Sequence, residues 1–318
     1  NCIVCQEVNN VDIINNTFSG KELTCQYCEN GDGIDLSGSF QNPFSFSDVL
    51  IKNNSFKDLE TYDHITISRM ANIVVKNNDI ESGNFATAEG LDFYEVKDLL
   101  IKNNTIKNLG TDSYQGIGVD NSVNVRIISN DITDFNVEQG ILLQETNNAE
   151  IKQNSIKGYG AGGGYANGVL VEQSSSGVTV MNNILVSETG GGANGIALFS
   201  LDTGIYIYNN SMKVSDIGVY LNGSMQWPTK ILNNNIETLD KNWPAVYEFD
   251  GKFDDAVLYN GNNYDINGKG NIYENTMTGK TYATLKQWRQ NAPPPYKRTS
   301  PLDNTRSFSQ DANYKSST

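Results

Sequence analysis

The chain has 318 residues, enough for one elongated domain or two compact ones. Apolar residues make up 38% and glycines number 29, which argues against one large compact core but allows a core built in thin repeated slices. A formal net charge of -14 speaks against nucleic acid as a partner, because phosphate binding needs a basic surface, and no apolar run is long enough for a membrane span.

The opening "NCIVCQEV" does not read as a leader, so a mature or truncated product is expected. Cys2, Cys5, Cys25 and Cys28 form C-x2-C-x19-C-x2-C, inside the spacing range of zinc ribbons. If "CIVC" is a strand, however, Cys2 and Cys5 point to opposite faces and cannot share one ion. Disulfides pinning the segment 19–32 in an oxidising compartment are the first expectation, with zinc and free buried thiols as the alternatives.

From there a motif recurs: "DVLIKNNSF" at 48–56, "NIVVKNNDI" at 72–80, "LLIKNNTI" at 99–106, "NVRIISNDI" at 124–132 and "AEIKQNSI" at 149–156. Aligned on its second polar residue it falls at Asn16, Asn54, Asn78, Asn104, Asn130, Asn154, Asn183, Asn210 and Asn234. The successive gaps are 38, 24, 26, 26, 24, 29, 27 and 24 residues, and such self-similarity marks a solenoid. A second alternating run precedes each motif: "GIDL" 33–36, "HITI" 64–67, "GLDF" 90–93, "GIGV" 116–119, "GILL" 140–143, "GVLV" 168–171, "GIAL" 195–198 and "GVYL" 218–221. Period two means strands. Two or three short strands per period with no helix predict an all-β, right-handed parallel β-helix of about ten coils. The recurring Asn stacks on its counterpart as a ladder, the Ile before it is core, and the Lys points out. Asn15, Asn53, Asn103 and Asn209 also match a glycosylation sequon, for which the periodic structure is the better explanation.

The 38-residue gap holds an insertion, 19–32, and "GYGAGGGYAN" at 158–167 reads as a flexible loop. After residue 236 the repeat degrades. "TYATLKQWRQ" at 281–290 reads as a short amphipathic helix capping the solenoid. The β-helix with its cap is therefore placed at 1–290, and 291–318 as an irregular tail.

The "GI-x-L … NN-x-I" coil, the Asn ladder and the late "YNGNNY … TYATLKQW" segment resemble the parallel β-helix proteins of the pectate-lyase-like superfamily. The resemblance implies carbohydrate chemistry by polysaccharide lyases, glycoside hydrolases or epimerases, or else phage spikes and surface adhesins. It also implies a groove on the outer face of the "GLDF" strands. Alternation puts Asp35, Thr66, Asp92, Gly118, Leu142, Leu170, Ala197 and Tyr220 in one outward column. Ser37, Ser68, Tyr94, Asp120, Gln144, Glu172, Phe199 and Asn222 make a second, flanked by Arg69, Glu95, Asn121, Glu145 and Gln173. Leu142, Leu170, Phe199 and Tyr220 offer a surface for sugar stacking or a partner.

Two chemistries fit these columns. A hydrolase would use two of Asp92, Asp120, Glu145 and Glu95 as acid and base or nucleophile, crowding supplying the raised pKa of the acid. A lyase or epimerase would use Tyr94 or His64 as base, with Arg69 or a Ca²⁺ held by Asp35, Asp92 and Asp120 neutralising a uronate carboxylate. The groove has one Arg and no obvious Lys, which weighs against a pectate-lyase mechanism. The plain alternatives are a solvated acidic face with Arg69 paired to Glu95, and His64 held in a turn. Lys52, Lys76, Lys102 and Lys152 stack elsewhere and read as a solvated stripe. The expectation is a secreted or cell-surface enzyme cleaving a polysaccharide, acidic by preference. The alternative is a non-catalytic spike or adhesion module that buries this face or trimerises through it.

Overall fold

The computed structural model describes residues 3–19, 32–59, 63–82, 89–109, 115–133, 138–160, 166–187, 192–200, 203–223, 228–250, 257–266 and 270–291. Three sheets wrap one continuous core. Among the described residues sheet A has 12 strands and sheets B and C have 10 each; successive strands come from successive coils and pair in parallel, except that the last strand of sheet A, Lys280–Tyr282, folds back antiparallel on Tyr273–Asn275. The first coil is Ile3–Gln6, Val11–Ile14 and Thr17–Ser19, and the fourth is Glu89–Tyr94, Lys97–Lys102 and Thr105–Lys107. Ten such three-strand coils stack, as the sequence period predicts. Among the described residues no helix is long and apolar enough to cross a membrane.

The register explains why short strands suffice. Each core residue stands on its equivalent in the next coil: Ile65 on Leu91, Leu91 on Ile117, Ile117 on Ile141. These side chains are fully buried. Every coil thus hides its apolar faces only because a neighbour covers them.

The polar pair of each coil has two separate jobs. Its first residue turns the corner in the left-handed region: φ is 56° at Asn53, 56° at Asn77 and 54° at Asn103. Asn adopts this conformation at less cost than most residues. Its second residue builds the ladder. Asn104 Oδ1 accepts from Asn78 N at 3.0 Å and from Asn78 Nδ2 at 2.9 Å. Asn104 Nδ2 in turn donates to Asn130 Oδ1 at 3.0 Å and to Val75 O at 3.0 Å. The same pattern runs from Asn16 to Asn234.

The repeat does not stop at residue 236. A tenth coil adds Val257–Asn260 and Asn263–Ile266, and Asn262 continues the ladder by accepting from Asn234. Here Gly261 takes the left-handed position with φ 67°, so the polar pair is displaced by one residue in the text. Above this coil the core is closed by rings. Helix Leu285–Asn291 stacks Trp288 on Tyr273 at 4.8 Å, with Tyr259 at 5.2 Å and Tyr264 at 6.0 Å. The buried carboxylate of Glu248 is satisfied inside this lid by the Tyr259 hydroxyl at 2.8 Å, the Asn275 amide at 2.7 Å and the Tyr273 hydroxyl. The expected capping helix is therefore present.

Cys5 lies in sheet A opposite Leu36 and packs half-buried against the core, with no disulfide among the described residues. Cys2, Cys25 and Cys28, almost all of the insertion, residues 161–165 of the Gly-rich segment and the tail from 292 lie outside the described residues. Lys52, Lys76 and Lys102 do stack in sheet B, and Ile128 separates them from Lys152, which pairs with Glu150 at 3.8 Å.

Candidate functional site

Sheet A presents both expected columns in the expected order. Asp35, Thr66, Asp92, Gly118 and Leu142 are successive partners, as are Ser37, Ser68, Tyr94, Asp120 and Gln144. Tyr94 pairs directly with Asp120, and Arg69 bonds Glu95 Oε2 through Nε at 3.0 Å. The guanidinium also lies 3.4 Å from the Phe40 ring centroid and 5.6 Å from that of Tyr94. It is held by three partners, so the groove's cation serves its own wall. Arg69, Glu95 and Glu145 all sit at the left-handed turn that ends each sheet A strand, with φ of 57°, 51° and 46°.

A third column was not legible from alternation. Asp32, Asp63, Glu89, Gln115, Gln139, Asn167 and Asn194 each stand two residues before the first core residue of their strand. Strict period two would turn them inward. They face the outward column because the intervening residue takes the inward position instead: the strand Glu89–Tyr94 shows Gly90 and Leu91 both buried. A Cβ on Gly90 would lie 2.3 Å from the Gly116 carbonyl and 3.0 Å from Ile106, so glycine makes that double inward step possible.

The consequence is a crowd of carboxylates. Asp63, Glu89 and Asp92, all half-buried, bring one oxygen each within 4.8 Å of one another. Gln115 Nε2 donates to Glu89 Oε2 at 2.9 Å and approaches Asp92 Oδ1 at 3.4 Å, and Thr66 donates to Asp63 Oδ2 at 3.2 Å. Asp32 lies below, 4% exposed, with Oδ1 unpartnered among the described residues. Burial, then the charges of Asp63 and Asp92, pushes Glu89 up to about 8. Burial and Asp92 push Asp63 up to about 7, burial and Asp63 push Asp32 up to about 7, and burial and Asp32 push Asp92 up to about 6. Asp120 is raised by burial and by Glu145. Carboxylates packed this closely cannot all ionise, so at neutral pH the cluster holds protons.

The same oxygens have the chemistry of a hard-cation site. Ligands on opposite sides of one Ca²⁺ stand about 4.8 Å apart, twice a Ca–O distance of about 2.4 Å. The set that fits is Asp63, Glu89 and Asp92, with Asp32 adjacent. Of the expected set of Asp35, Asp92 and Asp120 it keeps only Asp92. Asp35 stands two strands away with Thr66 between, and Asp120 lies one strand away in the next column.

His64 is not in the groove. Its ring turns into the core, 0% exposed, edge-on to Phe56 with centroids 6.1 Å apart. Its Nδ1–H donates to the Glu89 main-chain carbonyl at 2.7 Å, while Nε2 has no partner among the described residues. Burial lowers its pKa to about 4, so it stays neutral. Leu170 is also buried and offers no surface. The exposed apolar area begins higher, where Phe199 and Tyr220 meet at 5.3 Å and continue into Tyr247, Phe249 and Trp243.

A family model described as "Right handed beta helix region" matches residues 1–212 of the 318. No curated protein matches the chain.

Proposed function

The chain belongs to the right-handed β-helix family, and we propose that it is a glycan-cleaving enzyme whose centre is the Asp63–Glu89–Asp92 cluster on sheet A. The observation that carries this is the trio of carboxylates within 4.8 Å, each raised above the ordinary carboxylate range by burial and by its neighbours' charges. Acid-base cleavage of a glycosidic bond needs one carboxyl protonated and its neighbour ionised at the same pH. Glu89, raised furthest, keeps the proton and delivers it to the glycosidic oxygen as the C–O bond breaks. Asp92, raised least, supplies the carboxylate that meets the developing oxocarbenium carbon. The close approach suits direct attack by that carboxylate better than an inverting pair, which stands about 6.5–9.5 Å apart to admit a water. Water then displaces Asp92 from the sugar and gives its proton back to Glu89. Gln115 holds both side chains in place. Asp120, Tyr94, Glu95, Glu145 and the pinned Arg69 line the wall the next sugar would meet.

A lyase reading has one specific support, the cation-like spacing of the same three oxygens. Ca²⁺ bound there would neutralise a uronate carboxylate, which Arg69 is too engaged to do alone. An acidic polysaccharide could then enter an otherwise repulsive groove. Such a protein would act in a secreted or cell-surface setting, where polysaccharides are met.

The test is a panel of neutral and uronate polysaccharides incubated with the protein, with Ca²⁺ or with chelator. Products are read as new reducing ends and as ultraviolet absorbance of unsaturated uronate. Reducing ends without absorbance, insensitive to chelator, support hydrolysis. Absorbance that requires Ca²⁺ moves the assignment to the lyase. No cleavage in any arm, with the folded protein confirmed, sinks both and leaves a binding or adhesion module.

A further inference from the structure

Sheet A carries a second feature that the cleavage chemistry does not use. Five rings stand on its outer side at the top of the solenoid: Phe199, Tyr220, Trp243, Tyr247 and Phe249. They are outside the core, which is closed separately by Tyr259, Tyr264, Tyr273, Tyr282 and Trp288. Tyr220 and Tyr247 are direct strand partners, their rings 5.6 Å apart and tilted by 29°. Phe249 lies 6.1 Å from Tyr247, also at 29°, and Trp243 meets Tyr247 edge-on at 5.9 Å. Phe249 is 40% exposed, and the other four are half-buried.

Leaving five aromatics on an outer sheet face costs solvation that a non-binding surface has no reason to incur. The rings also stand in register with the acid cluster. The column of Asp92 runs through Gly118, Leu142, Leu170 and Ala197 to Tyr220 and Tyr247. From Asp92 to Tyr220 that is five strand spacings, about 24 Å. Among the described residues, two carboxylates stand beside the rings. Asp240 takes the Trp243 N–H on its carbonyl at 3.3 Å, and its charge, after burial, helps raise Asp216 to about 6. Lys241 in the same turn is exposed.

We propose that this aromatic cluster is a glycan subsite for uncharged sugar units, holding a chain that runs along sheet A from the acid cluster over the half-buried column of Asp120, Gln144 and Glu172 to Phe199, beside the covered Leu170 and Ala197. The apolar faces of pyranose rings pack on aromatic side chains, and carboxylates at the rim accept hydroxyl hydrogen bonds. A uronate unit would bring its negative charge against Asp216 and Asp240, with the exposed Lys241 in the same turn among the described residues. The proposal builds on the reading of the protein as glycan-active, but it concerns binding and does not require the cleavage assignment.

The test is calorimetric titration with mixed-linkage β-glucan, galactomannan and arabinoxylan, and separately with alginate and polygalacturonate. Wild type is compared with Tyr247→Ala, Phe249→Ser and, as a control on sheet B, Lys102→Ala, each checked for folding by circular dichroism. The expected result is binding of at least one neutral polymer, weakened tenfold or more in the ring variants and kept within about twofold in Lys102→Ala. Phe249→Ser, at an exposed position, keeps the test open if Tyr247→Ala fails to fold. Binding only to polyuronates, binding that survives both ring variants, or no binding at all overturns the proposal. So does a light-scattering mass showing a wild-type oligomer that Phe249→Ser dissociates, because the rings then join copies of the chain. Failure to cleave with binding intact would reject the catalytic assignment alone.

Discussion

His64 and Glu89 hold each other through the wall of the solenoid: the buried imidazole donates to the Glu89 main-chain carbonyl at 2.7 Å, while the Glu89 side chain stands outside among the carboxylates. A candidate acid is thus anchored from the core. His64→Ala leaves that carbonyl without its side-chain donor and opens a cavity beside Phe56. Hydrogen exchange across residues 89–93 should accelerate relative to distant coils. Unchanged exchange there would show that the contact does no anchoring.

The pH dependence of stability follows from the raised carboxyls. Between their ordinary range near pH 4 and their folded values of about 6 to 8, the folded chain keeps protons that the unfolded chain has released. Stability is therefore highest on the acid side and is lost as pH rises through 6 to 8. His64 acts in the opposite sense: its lowered pKa costs stability as pH falls from about 6.5 to about 4. Four carboxyls against one imidazole give a higher melting temperature at pH 5.5 than at pH 8.5. Glu89→Gln should flatten the alkaline limb, and His64→Ala the acid one. A melting temperature that rises steadily to pH 8.5 would contradict the protonated cluster.

Turnover should depend on the cluster while the fold does not. Glu89→Gln and Asp92→Asn should each reduce cleavage a hundredfold or more on any substrate the wild type cleaves, as expected for losing an acid-base group. Asp92→Asn removes charge from a crowded site, and Glu89→Gln replaces a carboxyl that already holds its proton with a neutral side chain of the same shape, so melting temperature should hold or rise. Full activity in both would place the chemistry elsewhere on the chain.

Asn104→Ala interrupts the ladder in mid-stack. Asn78 loses its Oδ1 acceptor, Asn130 loses a donor, and the Val75 carbonyl loses its partner. A destabilisation of about 1–3 kcal/mol is expected in denaturant titration. By contrast Asn103→Gly, at φ 54°, should change stability by only a few tenths of a kcal/mol, because that residue supplies backbone conformation.

Removing the lid should loosen one end alone. Trp288→Ala strips the ring that packs on Tyr259, Tyr264 and Tyr273. Hydrogen exchange should rise across 257–282 and stay unchanged near the acid cluster, because each coil of a solenoid touches only its neighbours. Uniform loosening of all coils would mean the chain opens as one cooperative unit.

The fold was legible because one rule, an apolar residue three before a recurring Asn, holds coil after coil. The rule holds even at Asn262, with Tyr259 three before it, but Gly261 takes the corner there, so the written Asn pair falls at 262–263 and hides the register. The columns of Asp92 and Tyr94 were legible because alternation survives past the first core residue. The column of Asp63 and Glu89 was not, because Gly90 and His64 point inward next to another inward residue and break the alternation there. Reading the residue before each recurring Gly, and before His64 where it takes the glycine's place, gives D, D, E, Q, Q, N and N in turn and would have revealed it. His64 looked like a groove residue for the same reason: it replaces a glycine at a position that faces the core.

The stacking of coils also makes the solenoid a ruler. The distance between the acid cluster and the rings is a whole number of strand spacings, so it changes only in steps of about 4.8 Å. Excising the 24 residues from 131 to 154 would remove one coil and rejoin Asn130 to the residue that now follows Asn154, with the ladder intact. The rings would then sit one step nearer the cluster. A cleaving enzyme of this build should release a product shorter by about one sugar, its product length written in the number of coils.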